Sequence, residues 1–150
     1  MNMFAIDIGN TSTTCGLFYD NKLLSKSVFK KNDPFSVLSY MRANKSGALA
    51  VISSVDPSQT ERLVKLLKKN SFKSKVISHN NCGLLMDVES TKEVGIDRVC
   101  NSYAAKELYK LPCLVIDFGT ATTYDVINKD KIFIGGAIAP GIEVSSENLI

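Results

Sequence analysis

The sequence predicts an α/β protein of two related halves, each built on a mixed sheet with helices packed on it. Three observations carry that expectation. Residues 3–78 read in the order β-β-β-α-β-α-β. The order strand, Asp-x-Gly turn, strand, turn, strand at the N-terminus begins again at Cys113. Laying Asp7 on Asp117 also matches Ile6 with Ile116, Gly9 with Gly119 and Thr13 with Thr123, and such a repeat points to two half-structures facing one another.

Each element has its own signal. Residues 3–8 form an almost continuous apolar run, as expected of a central strand buried on both faces. Residues 13–19 and 22–29 make a hairpin turned at Asp20-Asn21. Pro34 opens a helical pattern with apolar Phe35, Val37, Leu38 and Met41, and residues 48–52 form another buried strand. Asp56 before Pro57 fits an N-cap followed by proline at the first helical position. The helix over 57–69 puts Leu63, Val64, Leu66 and Leu67 inward and Lys65, Lys68 and Lys69 outward. A short strand follows at 75–78.

Residues 79–92 read as loop, with a short strand around 84–88. Ser90-Thr91-Lys92-Glu93 fits a capping box for a helix over 93–110, ended by Pro112. Residues 113–117, 122–127 and 131–134 are strands, 137–141 a loop and 142–150 a helix. The first lobe is therefore expected at 1–92, with 93–150 supplying a connecting helix and the first part of a second lobe. Neither Gly nor a basic last turn closes the helix at Ile150, so the chain is expected to be the N-terminal part of a longer protein.

Composition excludes several classes. The 150 residues are 45% hydrophobic and 22% charged, ordinary globular material with enough chain to bury a core. The formal charge of +3 describes a soluble surface with a few extra lysines, and nothing resembles the face of a nucleic-acid binder. No segment reaches membrane-spanning length, and the N-terminus lacks a basic region followed by a cleavage site. Cys15, Cys82, Cys100 and Cys113 form no Cys-x-x-Cys pair and read as reduced thiols of a cytoplasmic protein. His79 stands three residues before Cys82, but no second close pair supports zinc.

Three constellations carry chemistry. In Asp7-Ile8-Gly9-Asn10-Thr11-Ser12-Thr13-Thr14, amides around Gly9 and the hydroxyl and amide side chains can surround phosphate oxygens, while Asp7 can hold a divalent cation. Strand pattern follows, so this is no Walker loop, and a hairpin turn with hydroxyls on a solvent face explains it equally. The second is Asp117-Phe118-Gly119-Thr120, where Gly119 is expected to supply permissive dihedrals and close ligand approach. Two such turns at adjoining ends of two lobes would grip a polyphosphate, with cations between carboxylates and phosphates. The third is Gly95-Ile96-Asp97-Arg98: a carboxylate in the first turn of a helix is favoured by the macrodipole, and Arg98 offers a fork for a carboxylate or phosphate.

Those motifs, with Gly135-Gly136-Ala137-Ile138-Ala139-Pro140-Gly141 after them, resemble the type III pantothenate kinase family, whose members are also labelled Bvg accessory factor homologues. The resemblance spans essentially the whole chain. It implies the actin-like fold of sugar kinases and heat-shock ATPases, two ribonuclease-H-like lobes with mixed sheets, the second lobe incomplete here. It implies ATP-dependent phosphorylation of pantothenate to 4′-phosphopantothenate in coenzyme A biosynthesis, with Mg2+ and with K+ or NH4+. Asp7, Ile8, Gly9, Asn10, Thr11, Ser12, Thr13 and Thr14 correspond to the ATP phosphate segment, and Thr120 to a further ATP contact. Gly95, Ile96, Asp97 and Arg98 correspond to the pantothenate motif, with Asp97 as general base and Arg98 helping to hold substrate. Asp117 corresponds to the monovalent-cation ligand, and the family works as a homodimer.

Two departures stand out. Val88 occupies the position where family members commonly carry a pantothenate-contacting Tyr, and Ser90-Thr91 stands where an Asn-Pro approach is usual. The competing readings are a non-catalytic or truncated nucleotide-binding accessory relative, and a kinase of the same superfamily acting on another alcohol.

Overall fold

The computed structural model describes residues 2–44 and 48–147. Contacts divide the chain into two compact units, Met1–Ser78 and His79–Ile150. The sequence carries the first lobe to residue 92; in the structure, residues of the 79–92 stretch hydrogen-bond and pack within the second unit.

In the first unit, β1 (Asn2–Ile8), β2 (Ser12–Tyr19) and β3 (Lys22–Lys30) form an antiparallel meander, followed by α1 (Pro34–Ala43), β4 (Leu49–Ser54), α2 (Pro57–Lys69) and β5 (Ser74–Val76). The sheet order is β3-β2-β1-β4-β5, with β4 parallel to β1. Phe4, Ile6 and Ile8 meet Ala50 and Ile52, Val37, Leu38 and Met41, and Leu63 and Leu67 in one core. Both helices serve that cluster, so β1 is not buried on both faces as its apolar run suggests: Met3 and Ala5 are half-buried and Asp7 is exposed. Phe35, one of the apolar residues of the helical pattern, is 66% exposed. The buried stripe of α1 runs Pro34, Val37, Leu38, Met41, and Phe35 falls off that 3.6-residue period.

Both helix starts follow the local chemistry. The Asp33 carboxylate accepts from Ser36 N at 3.0 Å, and that of Asp56 accepts from Ser58 N and Gln59 N at 3.1 Å each, ahead of a proline whose missing N–H costs nothing there.

In the second unit, β6 (Leu85–Met86) and a 3-10 turn (Thr91–Glu93) precede α3 (Ile96–Leu108), β7 (Cys113–Phe118), β8 (Ala121–Ile127), β9 (Ile132–Pro140) and α4 (Ile142–Glu147). The sheet order is β6-β9-β8-β7. Leu84, Val94, Val99 and Phe133 form the core, with Val88 packed against it. β7 is a sheet edge, and Leu114, Ile116 and Phe118 are exposed along it.

Three expectations change here. The capping box is not made: Ser90 provides no side-chain cap, the chain first turns through the 3-10 segment, and Gly95 precedes α3. The loop expected at 137–141 is mostly strand, because β9 pairs with β8 from Val126↔Gly135 to Ala121↔Pro140. Small side chains hid the strand, and Pro140 is tolerated at its last position. The last helix is described to Glu147, and the expectation for 148–150 lies outside the described residues.

The meander of the first unit recurs as β7-β8-β9. Its register differs by one residue from the sequence match: Asp7 faces Thr14 and Asp117 faces Thr123. Thr14 rather than Thr13 is therefore the counterpart of Thr123, because the second turn is one residue shorter.

Candidate functional site

The first Asp-x-Gly turn is closed by Gly9 N donating to Ser12 O at 3.0 Å. Asp7, Asn10 and Thr11 are exposed around it, and Gly9, Ser12 and Thr14 are half-buried. Ile8 and Thr13 are buried, 2% and 7% exposed, so they can offer a ligand only their backbone.

The second turn is closed by Gly119 N donating to Ala121 O at 3.1 Å, and Gly141 N donates to Thr120 O at 3.1 Å. A Cβ on Gly141 would overlap Gly119 O and lie 2.5 Å from Thr120 O, so glycine is what lets the chain close onto this turn. Gly119 itself does not use the left-handed backbone expected of it, and a Cβ there would meet only Ala121 O at 3.6 Å. Gly119→Ala is accordingly expected to move Tm by no more than about 2 °C in a thermal melt, its remaining role being close approach by a ligand.

The start of α3 carries the third motif. Gly95 and Ile96 are half-buried at its entry, and Val99 N donates back to Gly95 O at 3.1 Å. In that first turn Asp97 Oδ1 accepts from Arg98 N at 2.9 Å, occupying one of the amides a helix start leaves open. Arg98 reaches β8: Nε and Nη2 both donate to Asp125 Oδ1, at 2.9 and 2.6 Å. Asp125 is fully buried and its Oδ2 has no hydrogen-bond partner. Burial pushes the Asp125 carboxyl above its ordinary range, opposed by the Arg98 guanidinium and reinforced by the charges of Asp97 and Asp117. One turn further along α3, Asn101 Nδ2 donates to Asp117 Oδ2 at 2.8 Å. Asp97, Arg98, Asp117 and Asp125 thus form one electrostatic cluster within the second unit.

Gly136, directly opposite Asp125 on β9, makes room for the ion pair. A Cβ there would overlap Tyr124 O and fall 2.7 Å from Arg98 Nη2 and 2.8 Å from Asp125 Oδ1. Beside the pair is a hollow of about 400 Å3 lined by Val88, Ser90, Arg98, Phe133 and Gly135 among others. The structure therefore brings Arg98 together with Val88, the position at which the sequence departs from its resemblance.

Among the described residues no group of three or more His, Cys, Asp or Glu converges as a metal site. Asp117, exposed at the end of β7, offers carboxylate oxygen near a turn rich in carbonyl oxygens, a donor set that fits a hard cation. His79 Nε2 lies 2.8 Å from Val94 O, and Cys82 Sγ lies 3.3 Å from His79 O, so both are engaged by backbone. None of the four cysteines is in a disulfide, and burial pushes Cys15 up to about 12. Among the described residues no helix is long and apolar enough to cross a membrane.

Asp125 and Asn101 were not singled out by the sequence, and Gly136 was named only as part of the motif over 135–141. A signal existed for Asp125: it stands in strand alternation with Thr123 and Ile127, so its carboxylate shares the face whose members include the buried Ile127. A carboxylate at such a position needs a buried partner, and Arg98 is that partner.

The sequence profile of type III pantothenate kinases matches residues 3–150. A relative from Finegoldia magna named type III pantothenate kinase is 36% identical over 160 residues, covering 98% of this chain and 61% of its own length. The chain thus spans about three fifths of that relative. Among solved structures, a Campylobacter jejuni protein described as a Baf family transcriptional activator superposes with a TM-score of 0.58 at 22% identity, over 94% of this chain and 56% of its own. The activator of 2-hydroxyisocaproyl-CoA dehydratase from Clostridium difficile, with bound ADPNP, gives 0.55 at 10% identity, over 93% and 46%. The fold is that of the actin-like ATPases and sugar kinases.

Proposed function

The chain belongs to the type III pantothenate kinase family, and we propose from that premise that its protein transfers the γ-phosphoryl group of ATP to the primary hydroxyl of pantothenate. The observation that carries the reading is the first turn of α3, where Asp97 and Arg98 stand side by side with Arg98 lining a hollow. Asp97 takes the hydroxyl proton as the substrate oxygen bonds to the γ-phosphorus and the bond to the β,γ-bridging oxygen breaks, releasing ADP. A weak carboxylate base suffices, because positioning and charge stabilisation supply most of the effect in phosphoryl transfer. Arg98 holds the substrate through its guanidinium, with Gly95 and Ile96 shaping the approach. Asp7, Asn10, Thr11, Ser12 and Thr14, with backbone from Ile8, Gly9 and Thr13, contact the ATP phosphates, and Thr120 adds a hydroxyl. Mg2+ and K+ would neutralise phosphate charge, with Asp117 as the K+ ligand.

We assign the protein to the cytoplasm and to a homodimer on the same family grounds. The direct test is mass spectrometry of pantothenate incubated with ATP and the protein as its reading frame encodes it. A product heavier by one phosphoryl group supports the reading, and unchanged pantothenate sinks it. For Asp117→Ala the expected result is loss of K+ stimulation, measured as ADP release across a K+ titration. A titration that matches the unsubstituted protein refutes that assignment.

A second reading is a non-catalytic nucleotide-binding relative. ATP binding without any phosphorylated product would favour it.

A further inference from the structure

We propose that Asp125 is a positioning residue for pantothenate recognition, acting through Arg98; this rests on the reading that Arg98 holds the substrate. The geometry makes the case. Both Nε and Nη2 of Arg98 are committed to one oxygen of a fully buried carboxylate, and the Arg98 side chain is only 11% exposed. A guanidinium is a planar fork, so fixing two adjacent nitrogens fixes the plane and direction of the whole group. Nη1 carries neither of these bonds, and Arg98 borders the hollow that also contains Val88. The support is itself rigid: Asp125 sits in the middle of a strand paired on both sides, opposite Val115 and Gly136. Only a glycine at 136 leaves space for the pair.

A buried carboxylate with one oxygen unpartnered is poor value for stability alone, since burial opposes its charge more than one ion pair restores. Such a pair is explained when it orients a group that must meet a ligand. Without Asp125, Arg98 keeps its charge but samples several rotamers, and a misdirected fork loses its anionic partner.

The test is a double-mutant cycle, in the protein as its reading frame encodes it, on the KM for pantothenate and the KM for ATP. The variants are Asp125→Ala, Arg98→Ala and the double variant, with Asp125→Asn as a gentler change that keeps an acceptor for Nε and Nη2. Asp125→Ala is expected to raise the pantothenate KM by about 10-fold or more and to leave the ATP KM within about 2-fold. Asp125→Asn should show a smaller change of the same kind, which keeps the inference testable if Asp125→Ala fails to fold. In the Arg98→Ala background, removing Asp125 should add nothing further to the pantothenate KM. An unchanged pantothenate KM in folded Asp125 variants, equal changes in both KM values, or additivity in the cycle would each overturn the inference while leaving the kinase reading intact. Absence of pantothenate-dependent turnover before any substitution overturns both.

Discussion

Asp97→Asn is expected to lower kcat for pantothenate phosphorylation by about 10²- to 10⁴-fold while ATP still binds, as removal of a general base does. The substitution isolates the chemistry because so little else changes. Asn has the same shape, and its side-chain oxygen can still accept from Arg98 N as Asp97 Oδ1 does at 2.9 Å. The structural cost is the lost interaction of a charge with the helix N-terminus, about 0.3–1 kcal/mol. Tm should therefore barely move, and far-UV circular dichroism should overlay on that of the parent protein. The alternative reading of Asp97, a residue favoured at a helix start and nothing more, predicts the reverse: a small stability loss and retained turnover. Steady-state kinetics alongside a thermal melt separates the two.

Gly136→Ala is expected to destabilise the second unit by about 3 kcal/mol, or roughly 6–12 °C in Tm, from overpacking a site that cannot yield. The added methyl would overlap the Tyr124 carbonyl oxygen and press on both partners of the Arg98–Asp125 pair at 2.7 and 2.8 Å. Backbone and a buried ion pair have less freedom to retreat than the end of a flexible side chain. Gly119→Ala is the internal comparison, since its methyl meets only Ala121 O at 3.6 Å. Similar melting temperatures for the two variants would mean that the close approach at Gly136 is not a packing constraint.

These contrasts show what the sequence could and could not convey. Helix α2 was legible from end to end because Asp56-Pro57 marks its start and Leu63 and Leu67 its inner face. The duplicated meander was legible because an aspartate at a strand end followed by glycine and hydroxyls recurs against a strand background. The one-residue difference between the two turns was not, because Thr122 and Thr123 both match a run of threonines. The exposure of Phe35 was not legible from its hydrophobicity, only from its falling off the period of Pro34, Val37, Leu38 and Met41. The second half of β9 was hidden by glycine and alanine, residues with little strand preference. Asp97 and Arg98 could be found as neighbours in the chain. The pairing of Asp125 with Arg98 could not, because it spans 27 residues and exists only once β8 packs beside α3.

Phosphorylation of pantothenate with Asp97 as the base is the activity proposed for this protein. Coupled ADP release, measured with and without pantothenate for the parent protein and for Asp97→Asn, tests it most directly. The expected result is ADP release that requires pantothenate and falls by about 10²-fold or more in Asp97→Asn. ADP release indifferent to pantothenate, or equal turnover by the two proteins, would contradict it.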